Sequence, residues 1–300
     1  MDLWRYQVEQ ADTKAHQLAI QLHTKYPAVV VDDIYEQLVG SRILKSDMEI
    51  KQMKVAQETT RYAIEEVMAY AKPGMNECEL EGAFDFALKK QGVKEHAFPS
   101  IVASGGRATT LHYRDNDQVV ANGELVLLDL GSAYNHYCAD ISRTFPINGT
   151  FTKRQKEIYN VVLEAQSLVI DTARPGMTLK DLNDLVIALY ECRLPDLGLM
   201  GEGHKVEDYY YHGVSHQLGL DAHDIECKTY QVLQPGMVIT VEPGLYIAKE
   251  QIGIRIENDI LITQGEAIDL SNGILKTVEE IETWMHGERL NMYQDINVDF

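Results

Sequence analysis

Five metal-seeking side chains stand between the middle and the end of the chain: Asp129, Asp140, His216, Glu242 and Glu257. Carboxylates and an imidazole are hard donors that suit manganese, cobalt or zinc more than copper. Two such ions about 3.5–4 Å apart can share a hydroxide, which makes a nucleophile available at neutral pH. The expected chemistry is metal-assisted hydrolysis.

The acids lie in two matched settings. Gly123-Glu-Leu-Val-Leu-Leu-Asp129-Leu-Gly131 and Gly236-Met-Val-Ile-Thr-Val-Glu242-Pro-Gly244 each hold a turn glycine, an apolar strand-like run, a carboxylate and a second glycine, and sliding one by 113 positions superposes them. Burying an unpaired carboxylate is costly unless a cation or donor compensates it, so meeting the same anomaly twice argues for a purpose. Upstream, Ala71-Lys-Pro-Gly-Met75 recurs as Ala173-Arg-Pro-Gly-Met177, with Leu80 and Leu182 following at the same distance. In both places Pro-Gly ends one amphipathic helix before a second begins. Each half therefore reads helix, helix, strands.

A hairpin with Tyr134-Asn135 as its two-residue turn would set Asp129 opposite Asp140 on one face, where two like charges need something positive between them. A bulge that separates the two acids is the plain alternative. Glu242 and Glu257 flank a longer connection through Lys249-Glu250, and their spacing also permits opposition.

Histidines supply the second signal, in His212-Gly-Val-Ser-His216-Gln-Leu-Gly-Leu-Asp-Ala-His223-Asp. His216 is the expected ligand; His212 and His223 are expected to donate hydrogen bonds to a reacting carbonyl. His112, in Thr-Leu-His-Tyr113, is placed near the substrate amine. Arg255 lies two residues before Glu257, on the same face of a regular strand, and could orient an acidic ligand. Tyr246 lies four residues past Glu242 and could share its face; plain packing accounts for it equally well.

Local signals arrange the remaining chain around these groups. Residues 1–46 read as a helical stretch from about Trp4 to Lys25, then Pro27 and a strand at Ala-Val-Val-Val31. Ser46-Asp-Met-Glu49 has capping-box form and opens a helix with Met53, Ala56, Thr60, Ala63, Ile64, Val67 and Ala71 on one stripe. Asn76 caps the next helix, and Gly92 stops it. Strands follow to about Ile147. Thr152 opens a helix to about Ala173, Thr178 its partner to about Cys192, strands dominate from Tyr209 to Leu270, and Lys276–Trp284 forms a closing helix. We expect three parts: residues 1–46, a catalytic unit over 47–285, and an acidic tail over 286–300.

Bulk properties narrow the partners. With 27 basic against 46 acidic residues the formal charge is -19, so nucleic acid and anionic membrane surfaces would repel the chain. Cysteines at 78, 138, 192 and 227 form no Cys-x-x-Cys pair, which fits a reducing cytoplasm better than a secreted disulfide scaffold. The first residues lack the apolar core of a signal peptide, and no stretch approaches the ~20 apolar residues of a membrane span.

These motifs resemble those of the pita-bread metallopeptidases, a family that includes methionine aminopeptidase, prolidase, aminopeptidase P and creatinase. The match runs from about Ser46 to His286 and rests on Leu-Asp129-Leu-Gly, Asp140-Ile-Ser-Arg-Thr-Phe, the histidine string, Val-Glu242-Pro-Gly-Leu-Tyr246 and Gly-Ile-Arg255-Ile-Glu257-Asn-Asp. The histidine string looks most like that of the aminopeptidase P branch. The resemblance implies an α+β pita-bread fold, with duplicated helix-helix-strand units around a curved antiparallel sheet. It implies two divalent ions, manganese first and cobalt or zinc as alternatives. Asp140 and Glu257 would bridge them, Asp129 would complete one, and His216 with Glu242 the other. It further implies cleavage of the bond between an N-terminal residue and a following proline by a metal-bridging hydroxide. Glu242 would handle the proton, His112, His212 and His223 would serve substrate, and Arg255 and Tyr246 would support the ligands.

The resemblance leaves alternatives open: a prolidase confined to Xaa-Pro dipeptides, a peptidase fold retained only for binding, or a creatinase-like hydrolase. The partners expected are a proline-containing peptide and a second copy of the chain in a homodimer. Relatives carry a complete N-terminal domain, and residues 1–46 resemble its last helix and strand. Asn258 stands where many relatives have an acid.

Overall fold

The computed structural model describes residues 13–201 and 203–287. Seven described helices and eleven short strands alternate in blocks, as the duplication requires. The first block is α3 (Asp47–Tyr70), α4 (Glu77–Lys90) and six strands that start with β1 (Glu95–His96); the second is α5 (Lys153–Thr172), α6 (Leu179–Arg193) and five described strands. Two shorter helices, α1 (Lys14–Lys25) and α2 (Tyr35–Ile43), precede them, and α7 (Val278–Met285) closes the chain.

Capping sequences start the helices where local chemistry demands. Glu49 returns to the Ser46 N–H at 2.7 Å, and the same reciprocal box forms at Asn76, Thr152, Thr178 and Thr277. The expected stripe of α3 is buried throughout, and α3 packs on α4 as α5 packs on α6. Leu80, Phe84 and Leu88 from α4 join Val162, Ala165, Val169, Leu182 and Val186 in one continuous core with the strands.

The repeat extends to individual hydrogen bonds. Gly74 N–H donates to Val120 O and Val120 N–H to Met75 O, both at 2.8 Å; Gly176 N–H donates to Leu233 O at 3.0 Å and Leu233 N–H to Met177 O at 2.7 Å. Both glycines hold positive φ, 89° and 95°, which lets Pro-Gly reverse the chain.

In the first half, β2 (Ile101–Ser104), β3 (Leu125–Leu130) and β6 (Ile141–Pro146) form an antiparallel sheet in the order β2-β3-β6. In the second, β7 (Val238–Val241) pairs with β10 (Asn258–Leu261), and β10 with β11 (Ile268–Asp269). Ile101 faces Asp129 across β2 and β3. Moving both by the repeat offset gives Val214 and Glu242, and Glu242 N–H donates to Val214 O at 2.8 Å. The histidine loop thus takes the place of β2.

Three expectations need correction. Tyr134 pairs with Tyr137 between β4 (Ser132–Tyr134) and β5 (Tyr137–Cys138), so the turn is Asn135-His136. Both turn residues have positive φ, 48° and 72°, the backbone of a tight hairpin of the primed type. Asp129 consequently faces Ser142, and Asp140 is its diagonal neighbour on the same side. Secondly, residues 28–31 form no strand; Val30 is 81% exposed, and a β-branched run without a sheet edge to pair stays irregular. Thirdly, residues 209–237 hold one 3-10 turn and two isolated bridges, Thr178 to Val232 and Gln217 to Ile239, before strands begin at Val238. The start expected at Trp4 and most of the tail over 286–300 lie outside the described residues.

Candidate active site

The two halves meet edge to edge. Glu257 N–H donates to Ser142 O at 3.0 Å, and Thr144 Oγ1 donates to Arg255 O at 3.1 Å. Fully buried Arg143 fastens the seam, donating to Glu257 O at 2.5 Å, Leu275 O at 2.8 Å and Asn258 Oδ1 at 2.8 Å.

A cavity of about 250 Å³ opens at this seam, lined by Asp129, Asp140, His216, Glu242 and Glu257 together with His112, His212, His223 and Arg255. Asp129 is the penultimate residue of β3, Asp140 precedes β6, Glu242 follows β7, and Glu257 sits between β9 (Ile252–Arg255) and β10. Glu242 and Glu257 face each other, because the register joining β8 (Gly244–Ile247) to β9 continues unbroken into that joining β7 to β10. The glycines two residues past the acids explain themselves here. A Cβ at Gly131 would stand 1.9 Å from Ala139 O, and one at Gly244 would stand 2.5 Å from the Tyr246 hydroxyl.

Ligand atoms of Asp140, His216 and Glu257 lie within 4.8 Å of one another. His216 Nδ1 must carry a hydrogen, since it meets the carbonyl of Gln217 at 3.0 Å. Its bare Nε2 therefore looks toward Asp140 Oδ2 and Glu242 Oε1, each 3.5 Å away. Asp129 Oδ1 is buried with no hydrogen-bond partner among the described residues. Lone pairs facing lone pairs call for a cation or protons between them. Four carboxylates and one neutral imidazole fit hard divalent ions.

Electrostatics agree with that fit. Burial, reinforced by the facing acids, pushes the carboxyls of Asp140 and Glu257 well above the ordinary range. Burial also pushes Glu242 up to about 8, against the pull of Arg255. His212 and His216 are lowered to about 4, chiefly by burial, so both rings are neutral. His112 is lowered for the same reason.

Arg255 braces the cluster. Its guanidinium donates to Asp129 Oδ2 at 2.6 Å, Ser142 Oγ at 2.8 Å and the Tyr246 oxygen at 3.1 Å. Ser142 in turn donates to Glu257 Oε2 at 2.8 Å. Tyr246 gives its proton to His212 Nε2 at 2.8 Å, because His212 Nδ1 is committed to Gly213 O at 2.8 Å. Donation by His212 to a substrate carbonyl would break one of these bonds. Tyr246 itself lies outside the cavity lining but holds two of its walls together.

Sequence reasoning passed over four residues behind the ligands: Ser142, Arg143, Gln57 and Asp259. Asp259 is fully buried, accepts the Asp140 N–H at 3.0 Å and is gripped by Gln57 from α3. A signal existed in Ser142-Arg143-Thr144 and Glu257-Asn258-Asp259, polar triplets inside apolar strand runs. Their partners lie more than a hundred positions away for most contacts, which spacing alone does not reveal.

Comparison with known proteins decides the family. The model of metallopeptidase family M24 matches residues 51–264. The chain belongs to family M24. It is 38% identical over 282 residues to an Xaa-Pro aminopeptidase of Escherichia coli (strain K12), covering 88% of this chain and 64% of that one. Xaa-Pro aminopeptidase 3 of Rattus norvegicus is 39% identical over 256 residues, covering 80% of this chain and 51% of its own length. Among solved structures, aminopeptidase P from E. coli with the inhibitor Pro-Leu superposes with a TM-score of 0.86 at 33% identity, covering 93% of this chain and 70% of that one. The α+β architecture is thus the pita-bread fold of these M24 relatives, a family of metal-dependent peptidases. The chain spans less than two thirds of the length of the two curated M24 relatives.

Proposed function

We propose that this protein is an aminopeptidase that uses two divalent ions to cleave the bond between an N-terminal residue and a following proline. The observation that carries the reading is the convergence of all five donor side chains on one cavity, beside three further histidines. Asp140 and Glu257 would bridge the ions, with Asp129 completing one and His216 and Glu242 the other. Manganese is the ion we assign. When bound, the ions supply a Lewis acid and a water acidic enough to act at neutral pH.

The chain's own groups do the rest. Glu242 takes the proton of the attacking water and returns it at the nitrogen of the departing proline. His223 presents its ring to the carbonyl oxygen, and His112 faces the amine end. His212, Tyr246 and Arg255 act as a brace that keeps the acids in place. The negative protein draws the cationic amine inward.

Four free cysteines support a reducing compartment, and we place the protein in the cytoplasm. No described helix is long and apolar enough to cross a membrane. A twofold homodimer is the proposed assembly.

The decisive assay compares an Xaa-Pro dipeptide with an Xaa-Pro-Xaa tripeptide, with and without Mn²⁺. Release of the N-terminal residue from the tripeptide, dependent on the metal, is expected. Turnover of the dipeptide alone would make the protein a prolidase, and a purified protein that binds no divalent metal would make it a binding protein.

A further inference from the structure

A second cluster of buried charge lies outside the cavity. Lys45, just before α3, donates to Asp224 Oδ2 at 3.3 Å, and both side chains are 1% exposed. Arg42, in the last turn of α2, pairs with Asp224 Oδ1 and also with Asp221 Oδ2 at 2.7 Å. Two cations around one buried acid are a poor device for stability, since apolar residues of equal volume often serve as well. What such a cluster does supply is a fixed geometry.

That geometry leads to the histidine loop. Asp224 directly follows His223, and its N–H donates to Gln217 O at 2.9 Å. The same carbonyl takes Nδ1–H of His216 at 3.0 Å. The rings of His216 and His223 stand 4.3 Å apart, centre to centre. Space has been cleared for the acid: a Cβ at Gly219 would fall 2.2 Å from Asp224 Oδ2.

We infer that Asp224, gripped by Arg42 and Lys45, is a positioning residue that sets the His223 ring and the Nδ1–H tautomer of His216. Residues ahead of the family match at 51–264 thereby become a working part of the catalytic cavity. The inference rests on the aminopeptidase reading only for its kinetic readout.

The test uses Asp224→Asn, Lys45→Met, their double variant, Gly219→Ala and Arg42→Gln in the whole chain. Imidazole ¹⁵N resonances are recorded without metal, Mn²⁺ affinity by calorimetry, and kcat and KM on an Xaa-Pro-Xaa peptide across pH. In Asp224→Asn the His216 and His223 resonances should move. Its kcat should fall about 10- to 100-fold, with a smaller change in KM and a displaced pH profile. The double variant should be no worse than Asp224→Asn, as a shared interaction requires. A folded Asp224→Asn protein with unmoved ring resonances and unaltered kcat would overturn the inference. Should that variant fail to fold, Gly219→Ala, which displaces the acid without removing charge, and Arg42→Gln, whose side chain is only partly buried, decide by the same ring resonances. If the parent protein cleaves no Xaa-Pro peptide, the aminopeptidase reading fails, while resonances and Mn²⁺ affinity still judge the clamp.

Discussion

Arg255 donates to Asp129 Oδ2 across 2.6 Å, and so ties an acid of the first half to a guanidinium of the second. Lysine carries the same charge, but its three N–H donors radiate from one nitrogen and cannot span Asp129, Ser142 and Tyr246 as the guanidinium fork does. Arg255→Lys should therefore lower kcat/KM about 10- to 100-fold. Calorimetry should find weaker Mn²⁺ binding in parallel, and a variant with parent-like values for both would remove Arg255 from the brace.

Asp140→Ala should abolish turnover and leave a soluble, folded protein. Burial already holds the Asp140 carboxyl well above the ordinary range, so the metal-free fold gains nothing from its charge. Thermal melts in EDTA should put the variant at or above the parent, and the rise that Mn²⁺ gives the parent should shrink. Near-normal turnover would refute the ligand assignment.

Tyr246→Phe removes the hydroxyl that accepts from Arg255 and donates to His212. Hydrogen bonds to charged groups contribute about 1.5–3 kcal/mol, equivalent to roughly 10- to 100-fold in kcat/KM. The His212 resonances should shift with the loss of rate. A full rate with a shifted His212 would show that the bond holds the ring without serving the reaction.

Acidity should govern the metal-free protein in a defined direction. Glu242 is raised from 4.5 to about 8, so between those values the folded chain binds more protons than the unfolded chain. Its contribution to stability is complete below the unfolded value and is lost as pH rises through the folded one. Melting temperature in EDTA should fall across that window, and Mn²⁺ should reverse the fall by displacing protons. A flat profile in EDTA would contradict the raised carboxyls.

The donor residues were legible because a strand has no ordinary use for a terminal acid, and because the anomaly at Asp129 recurs at Glu242. Helices α3 to α7 were equally plain, since capping boxes and apolar stripes are local signals, whereas α2, which has no side-chain cap, was not foreseen. Register was not. Asn135-His136 turns where Tyr134-Asn135 was expected, a one-position shift that moved the partner of Asp129 from Asp140 to Ser142. Asp259 and Arg143 were hidden for a different reason: their partners come from Gln57, Leu275 and other distant segments, and only folding brings them near.

The backbone of the two halves repeats, but their chemistry does not. Where the second half carries His216, the repeat offset in the first half falls on Ala103, and three of the four cavity histidines line the second side. A wholly symmetric cage would give two opposed poses of a peptide the same surroundings. This one does not, and the proposed removal of a residue from one end alone can use that difference.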